Sequence, residues 1–525
     1  MQLAAHPRPF SRRSFVVLVA VTLLMTIAVP VGAKPEPGGF LTAQDPFITL
    51  DPGLSGGASV HPILSVGDMV DGVMFEGLPD GIGLRPGPDK HTVEAFVVHE
   101  QTTVAFFGSR DFQDASVTSW VLSTKSGPGR HASVLAANEP IGPEEGFLRF
   151  CSASMAGPNE GLSTYIFFAN EETNDAGLTV PPGATYDADT FPGDGTRQGG
   201  YSVVLDTDSG DFTQVAGLGR LNHENTIVVP GGWDDIALLT TDDTFDAPSA
   251  QLYLYLAATE DDIFNDGGSL YAFRVTAANG VSLADPTDPF NGANDYLDLG
   301  VGDDFAGEFI LVPEGVAKGT NGVLPQDALE NWSNDNNVFQ AIRLEDLAYD
   351  KNDPRVVYVA DTGRTRIIPD ASTGRMQRGP GGTVGEADNG RIFKFVFNAD
   401  DPTVVDSLTV YADGDAEGSD VFVPFVNPDN IDTSKNSLMV QEDADDAKIW
   451  QHRFNQGWWR VVATVNDPDG ESSGIVDASE YFGPGTWLLD VQAHGNNVDE
   501  DTTTIPGTLI KREDGQLMLM KIPAS

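Results

Sequence analysis

The sequence has few of the residues that mark disulfide-rich, nucleic-acid-binding or membrane-bound proteins. Its 525 residues include a single cysteine, Cys151, so no intramolecular disulfide can form. Lysine and arginine number 30 against 78 aspartates and glutamates, which gives a formal net charge of −48 at pH 7. Such a surface repels nucleic acid and anionic lipid, and we expect neither as a partner.

Long apolar runs are also scarce, and the one that stands out lies near the beginning of the chain. Arg8, Arg12 and Arg13 precede an uncharged run from Phe15 to Val29, and small residues follow up to Ala33. This order is typical of a signal peptide over residues 1–33, because the run is shorter than the ~20 residues of a spanning helix. The arginine pair resembles a twin-arginine export signal, although an ordinary signal fits as well. We therefore expect an exported protein, periplasmic or extracellular, with no stable membrane anchor.

The short motifs of zinc proteases, serine hydrolases, P-loop nucleotide-binding proteins and CxxC redox proteins are missing too. What the chain has instead is many short apolar and β-branched segments, separated by turns that draw on 57 glycines and 34 prolines. Segments of this kind are typical of strands, whereas helical patterns are few. The sequence therefore predicts an all-β protein.

Several of these predicted strands meet polar or acidic residues at an end. The clusters are His99-Glu100, Glu171-Glu172, His223-Glu224, Asp242-Asp243, Asp361 and Glu442-Asp443. Radial sheets that face one axis would bring such ends together, so the pattern predicts a β-propeller over residues 61–525, after an N-terminal extension over residues 34–60. Aspartate also begins turns on its own account, which leaves a β-sandwich or a two-domain β protein as alternatives.

Taken in order along the chain, the clusters resemble those of the PhoX-type alkaline phosphatases. The segments that carry the resemblance are Gly219 to Asn225, Arg343 to Leu347, Pro428 to Ile431, Val440 to Asp443, Glu471 to Ile475 and Asp490 to His494. The resemblance covers most of the chain after the signal peptide, and it implies an exported β-propeller enzyme that holds iron and calcium. The family's Trp-Gly-Thr before the paired glutamates is absent, which leaves open whether Cys151 works with Glu171 or with Glu172.

The resemblance also implies roles for individual residues. Cys151, Glu172 and Glu224 would be ligands of Fe³⁺, and Glu345 would be a ligand of Ca²⁺. Arg343 would bind phosphate, and Arg343 and Glu224 would be the catalytic residues. Residues two positions apart share one face of a strand, so Arg343 and Glu345 would point the same way. Further metal ligands, or residues that support the ligands, are expected among Glu100, Glu171, Asp346, Asp429, Glu442, Glu471 and His494.

The implied activity is the hydrolysis of a small phosphorylated substrate by a monomeric, metal-dependent phosphomonoesterase. Two other functions fit the same residues: a calcium-binding propeller without catalysis, and another hydrolase on this scaffold, such as a phosphodiesterase, a phytase-like enzyme or a lactonase. Some of the residues also have a purely structural interpretation. Cys151 can be a core residue, Arg343 can pair with Asp346, and Glu471 and His494 can close the last blade.

Overall fold

The computed structural model describes residues 39–54, 56–100, 115–127, 129–173, 199–244, 250–320, 325–501 and 510–523. The signal peptide predicted over residues 1–33 lies outside these ranges. Among the helices described, none is both long and apolar enough to cross a membrane.

Antiparallel strands form six blades, which we number in chain order. The chain begins with β1 (Ile48–Leu50), β2 (Ser59–Ser65), β3 (Met69–Val70) and β4 (Val73–Met74). Blade 1 consists of β5 (Pro79–Pro86), β6 (Thr92–His99), β7 (Ser116–Ser123) and β8 (Val134–Ile141). Blade 2 consists of β9 (Phe150–Ala156), β10 (Ile166–Glu171), β11 (Ser202–Asp206) and β12 (Phe212–Val215). Blade 3 consists of β13 (His223–Val229), β14 (Ile236–Asp242), β15 (Leu252–Ala257) and β16 (Ser269–Ala278).

Two strands, β17 (Val281–Ser282) and β18 (Phe305–Leu311), lie between blades 3 and 4 in the sequence. Blade 4 and its inserted hairpin consist of β19 (Leu344–Asp350), β20 (Asp353–Asp361), β21 (Ile367–Asp370), β22 (Arg375–Arg378), β23 (Arg391–Phe397) and β24 (Val404–Asp413). Blade 5 consists of β25 (Pro428–Thr433), β26 (Ser437–Glu442), β27 (Lys448–Arg453) and β28 (Trp458–Val465). Blade 6 contains β29 (Glu471–Asp477), β30 (Thr486–Asp501) and β31 (Ile510–Lys521).

Helices are short and lie between strands. The α-helices are α1 (Glu260–Phe264), α2 (Glu314–Ala317), α3 (Pro325–Asp335) and α4 (Ser479–Phe482), and the 3-10 helices are Pro143–Glu145, Pro158–Glu160 and Ala216–Leu218. Blades 1, 2, 5 and 6 are separate sheets, whereas β18 joins the outer strands of blades 3 and 4 into one ten-stranded sheet. The inner strands β5, β9, β13, β19, β25 and β29 contact one another in that order, and β29 contacts β5 again. The six blades therefore close a ring.

The closure uses both ends of the described chain. β2 pairs with β31 and supplies the fourth strand of blade 6, with Val60 opposite Met520. β1 pairs with β28 and adds a fifth strand to blade 5. The residues expected to form an N-terminal extension thus contribute β1 and the beginning of β2, and the expected boundary at residue 61 falls inside β2.

The apolar side chains are buried between the blades. Six hydrophobic clusters fill the six interfaces between neighbouring blades. Their members include Phe96 and Phe167 between blades 1 and 2, Phe168 and Tyr253 between blades 2 and 3, Phe273 and Phe393 between blades 3 and 4, Tyr358 and Leu438 between blades 4 and 5, Met439 and Leu489 between blades 5 and 6, and Trp120 and Leu488 between blades 6 and 1. Both faces of a blade are covered, which explains the apolar runs in the sequence. The predicted all-β propeller is confirmed.

The hairpin geometry of each blade decides where its polar residues go. In an antiparallel pair, the start of the first strand lies beside the end of the second. The pairs at this end of the blades are Pro79 with His99, Phe150 with Glu171, His223 with Asp242, Leu344 with Asp361, Pro428 with Glu442, and Glu471 with Gln492. All six blades therefore present the polar residues that flank these positions at the same end of the propeller axis.

Candidate metal centre

Acidic side chains from all six blades meet at this end of the axis, together with the cysteine. We call them the central cluster: Asp80, Glu100, Cys151, Glu172, Glu224, Asp243, Glu345, Asp429, Asp443 and Glu471. Within the described residues they form four groups whose potential ligand atoms lie within 4.8 Å of one another: Asp80-Glu100-Cys151, Cys151-Glu172-Glu224, Glu224-Asp243-Glu345 and Asp429-Asp443-Glu471. Cys151 and Glu224 each belong to two groups. The first three groups are therefore continuous across blades 1 to 4.

Close packing of the inner strands brings the thiol into this cluster. A Cβ atom on Gly81 would lie 1.9 Å from the backbone nitrogen of Ala153, so β5 and β9 approach more closely than a side chain at residue 81 would allow. The approach places the Asp80 carboxylate beside the thiol, with Oδ2 of Asp80 3.5 Å from Sγ of Cys151.

The paired acids at the ends of the second strands divide into two kinds. Glu171 accepts hydrogen bonds from the backbone nitrogens of Leu148 and Tyr201, whereas Glu172 lies in the central cluster. Glu442 likewise accepts from the backbone nitrogen of Val426 and from the Trp450 indole, while Asp443 lies in the cluster.

The other two such ends follow the same order. Asp242 accepts from the Thr244 hydroxyl and the neighbouring Asp243 lies in the cluster, just as His99 bonds to Thr118 and Glu100 lies in the cluster. In each pair the side chain of the first residue forms hydrogen bonds to neighbouring residues, whereas the side chain of the second belongs to the central cluster. Asp80, Asp243 and Asp443 were missed from the predicted ligand set, and this alternation is the signal that could have found the last two.

Asp346 and His494 have different surroundings from the rest of the predicted set. The Asp346 carboxylate accepts hydrogen bonds from the Asn225 side chain and from the backbone nitrogens of Leu347 and Ile431, so it joins blades 3, 4 and 5. It follows Glu345 directly and therefore points to the other side of the strand. His494 lies at the edge of the cluster, where Nδ1 is 2.5 Å from Oε2 of Glu513 and Nε2 is 3.5 Å from Oε1 of Glu471.

Two arginines form ion pairs with members of the central cluster. Arg343 donates from Nε and Nη2 to the two carboxylate oxygens of Asp243, at 2.8 and 2.6 Å, and its Nη2 lies 3.0 Å from Oε1 of Glu345. Arg149, which the sequence analysis did not single out, donates from Nη2 to Glu100 at 2.8 Å and to Glu172 at 2.7 Å. Within the described residues, these two guanidinium groups contact four of the nine carboxylates of the cluster.

Because the cluster is largely buried and its carboxylates outnumber positive charges, the pKa values of several of its side chains are raised. Burial raises the pKa of Glu224 well above its ordinary range, and the charges of Glu172 and Asp429 raise it further. Burial raises the pKa of Glu172 to about 8 although Arg149 opposes the shift, and burial together with Glu100 raises that of Asp80 to about 8. The pKa of the Cys151 thiol is also raised, by burial and then by Asp80. Without a bound cation, the cluster therefore retains protons that a metal ion would displace.

The donor atoms fit the metal ions that the resemblance implies. Both carboxylate oxygens of Glu224 are buried without a hydrogen-bond partner among the described residues, and the residue is 1% exposed. A buried carboxylate in this state is costly unless a cation satisfies it. One thiolate among carboxylates suits iron, whereas the groups made only of carboxylates suit a hard cation such as Ca²⁺. The residues present can therefore hold a centre of several metal ions.

The fold and this cluster define the class of protein: a six-bladed propeller with a carboxylate-rich metal centre on its axis. A model of the alkaline phosphatase PhoX family matches residues 152–471. That match spans more than half of the chain, so the chain belongs to the PhoX alkaline phosphatase family, as its sequence suggested. The matched range includes Glu172, Glu224, Arg343 and Glu345, while Arg149 and Cys151 lie just before it. Family membership supports a phosphatase-type hydrolase.

The comparison with solved structures agrees on the fold. The structure of Pseudomonas fluorescens PhoX in complex with vanadate, a transition state analogue, matches with a TM-score of 0.59 and 14% sequence identity, over 91% of this chain and 98% of that one. At this identity the likeness shows the fold alone. A structure of ctPRC2 in complex with H3K27me3 and H3K27M covers 75% of this chain at 9% identity, but its TM-score of 0.30 is too low to bear on fold or function. No curated protein matches the sequence.

Proposed function

We propose that this protein is an exported, metal-dependent phosphomonoesterase that uses Fe³⁺ and Ca²⁺ in the central cluster. The observation that carries the proposal is the Glu224 carboxylate, which belongs to two groups of potential ligands and is buried with no hydrogen-bond partner in the described ranges. Cys151, Glu172 and Glu224 would hold iron, and Glu345 with Asp243 would hold calcium. These ions would polarise the phosphoryl group and offset the charge that develops during hydrolysis.

Arg343 would bind the phosphoryl group beside the metal ions. Asp243 holds the guanidinium through two hydrogen bonds and Glu345 contacts the same nitrogen, so the plane of the group is fixed before a substrate arrives. The side chain is 20% exposed, which keeps it within reach from the open face of the propeller. A fixed guanidinium donates to phosphate oxygens with little loss of side-chain entropy. Arg343 would thereby orient the phosphoryl group for attack and stabilise the transition state.

Export is proposed from the beginning of the sequence. The predicted signal peptide over residues 1–33, with its arginine pair, would direct the folded, metal-loaded protein across the membrane. N-terminal sequencing of the protein recovered outside the cytoplasm should find Lys34 as the first residue. Recovery of the uncleaved chain from the cytoplasm alone would count against export.

Turnover of an aryl phosphate by the purified mature protein tests the activity directly. We expect hydrolysis that is lost after treatment with a chelator and returns when iron and calcium are added together. Lack of any chelator-sensitive turnover, in protein shown to contain both metals, would refute the phosphatase. Calcium without iron, combined with an unchanged Cys151→Ala variant, would instead favour the calcium-binding propeller without catalysis.

A further inference from the structure

Arg149 reaches the central cluster from the short connection that precedes β9. It lies two residues before Cys151, and its backbone adopts the left-handed conformation, with φ at +47°. Non-glycine residues rarely adopt this geometry, so the surrounding structure must hold Arg149 in place. The backbone nitrogen of Glu172 donates to the Arg149 carbonyl at 2.9 Å and fastens this turn to the end of blade 2's second strand.

The way in which the guanidinium is used distinguishes Arg149 from an ordinary ion-paired arginine. An arginine that serves only to neutralise a carboxylate commonly offers two nitrogens to its two oxygens. Arg149 instead contacts both Glu100 and Glu172 through the single nitrogen Nη2, while its Nε is buried without a hydrogen-bond partner in the part of the chain that the structure describes. Its side chain is 29% exposed although Nε is buried, so atoms other than Nε are open to solvent. Within the described residues Nη1 has no hydrogen bond either, and donor capacity therefore remains beside the two carboxylates.

The position of Arg149 complements that of Arg343. Arg149 approaches from blade 2 and Arg343 from blade 4, on either side of blade 3, which carries Glu224. Arg149 donates to Glu172 at 2.7 Å, and Arg343 contacts Glu345, which belongs to the same group of potential ligands as Glu224. An anion above Glu172 and Glu224 would consequently have one guanidinium on each side.

We propose that Arg149 is a second phosphate-binding residue of this centre, which donates to phosphoryl oxygens from blade 2 while Arg343 donates from blade 4. This inference rests on the proposed phosphomonoesterase function. Two guanidinium groups favour a dianionic phosphomonoester over a monoanionic phosphodiester, because the monoester carries the larger charge and more terminal oxygens. Arg149 would therefore contribute to substrate selectivity as well as to affinity.

The variants Arg149→Met and Arg149→Lys test this role in the metal-loaded mature protein. The measurements are iron and calcium content, the Kd of orthophosphate by calorimetry, and kcat/KM for an aryl phosphomonoester and a bis-aryl phosphodiester. We expect Arg149→Met to bind orthophosphate about 10–100-fold more weakly per loaded centre and to lose selectivity for the monoester. Arg149→Lys keeps the charge but not the planar fork, and it should show an intermediate loss with its metals retained.

Arg274→Met is the matched control, because Arg274 forms an ion pair with Glu308 on the outer strands of the joined blades. It should bind orthophosphate as the wild type does. The proposal is overturned if either Arg149 variant retains its metals and binds orthophosphate with wild-type affinity, or if both lose affinity only in proportion to lost metal. If Arg149→Met does not fold, Arg149→Lys decides on the same criteria. Failure of the underlying function would look different, because the wild-type protein itself would neither bind orthophosphate nor hydrolyse the monoester.

Discussion

The two ends of the propeller axis are lined by the same six inner strands, but they differ in how their acidic side chains are paired. Among the described residues, nine carboxylates and Cys151 converge with two arginines at one end. At the other end lies a cavity of about 750 Å³, where the Lys351 ammonium sits 3.5 Å from Asp432 and 3.4 Å from Asp477. There the Tyr349 hydroxyl also donates to Glu160 at 2.6 Å.

This difference distinguishes acidic side chains that stabilise the fold through paired contacts from acidic side chains that are available to bind a cation. At the cavity end, the half-buried acids named above each have a cationic or hydroxyl partner. At the cluster end, Glu224 has none within the part of the chain that the structure describes, and the carboxylates there outnumber the guanidinium groups. Asn225 and Asp346, which are joined by a hydrogen bond, line this cavity and directly follow Glu224 and Glu345 of the cluster in the sequence. We infer that the cluster end is built for cations that the polypeptide does not itself supply.

The largest effect is expected from removal of the Glu224 charge. Glu224→Gln should lower both bound metal and turnover of an aryl phosphate by more than about 100-fold, because Glu224 would be a ligand shared by two groups. Metal analysis and steady-state kinetics on the same sample measure this. Glu308→Gln is the control, since that carboxylate pairs with Arg274 and should leave both readouts unchanged. If Glu224→Gln kept the metal content of the wild type, the claim that the cluster end binds metal through Glu224 would be wrong.

Replacement of the thiol should separate the two kinds of metal. Cys151→Ser should weaken iron binding by about 10–100-fold and leave calcium in place, because a hydroxyl is a much poorer ligand for iron than a thiolate. Elemental analysis of the purified variant gives both contents at once. Equal retention of iron in the variant and the wild type would show that Cys151 is a core residue.

At the cavity end, the corresponding change should cost stability and not metal. Lys351→Met leaves Asp432 and Asp477 facing each other without a cation, and the partly exposed pair should lose about 1–3 kcal/mol in the free energy of unfolding. Denaturant titration measures the loss, with Lys435→Met at the exposed cavity rim as the control. A drop in metal content with no change in stability would mean that the two ends are coupled.

The last effect is a pH dependence of stability that only the metal-free protein should show. Burial raises the pKa of Asp80 and Glu172 to about 8, so the folded protein keeps protons that the unfolded chain releases from about pH 4 upwards. The unfolded chain then binds fewer protons, and stability must fall as the pH rises through this range. Thermal melts of chelated protein should show a Tm that decreases from about pH 5 to pH 8, whereas loaded protein should show a flatter profile. A Tm that rises over this range without metal would contradict the assignment.

The sequence was sufficient for the all-β propeller and for the strand ends where the acids gather, because both depend on local patterns. Glu172, Glu224 and Glu345 could be identified from their family resemblance, and the structure brings all three together with Cys151. Closure of the ring could not be predicted, since β2 pairs with β31 across nearly the whole chain. That pairing depends on which blades meet, and no local pattern encodes it.

Single-residue offsets account for some of the differences between the predicted and the observed cluster. Glu442 was predicted and Asp443 lies in the cluster, because successive side chains leave opposite faces of the chain. Asp346 was predicted beside Glu345, yet its carboxylate joins neighbouring blades for the same reason. Arg149 has an even weaker signal, since only its left-handed backbone turns the side chain towards Glu100 and Glu172.

The central claim is that the acids at one end of the axis are ligands of several metal ions. Anomalous difference maps, measured at the iron edge and at a wavelength sensitive to calcium, test it most directly on crystals of protein purified with its metals. The account predicts an iron peak bounded by Cys151, Glu172 and Glu224, and a calcium peak beside Glu345. The absence of anomalous peaks from the cluster in a well-ordered crystal, or peaks confined to the outer strands, would contradict it.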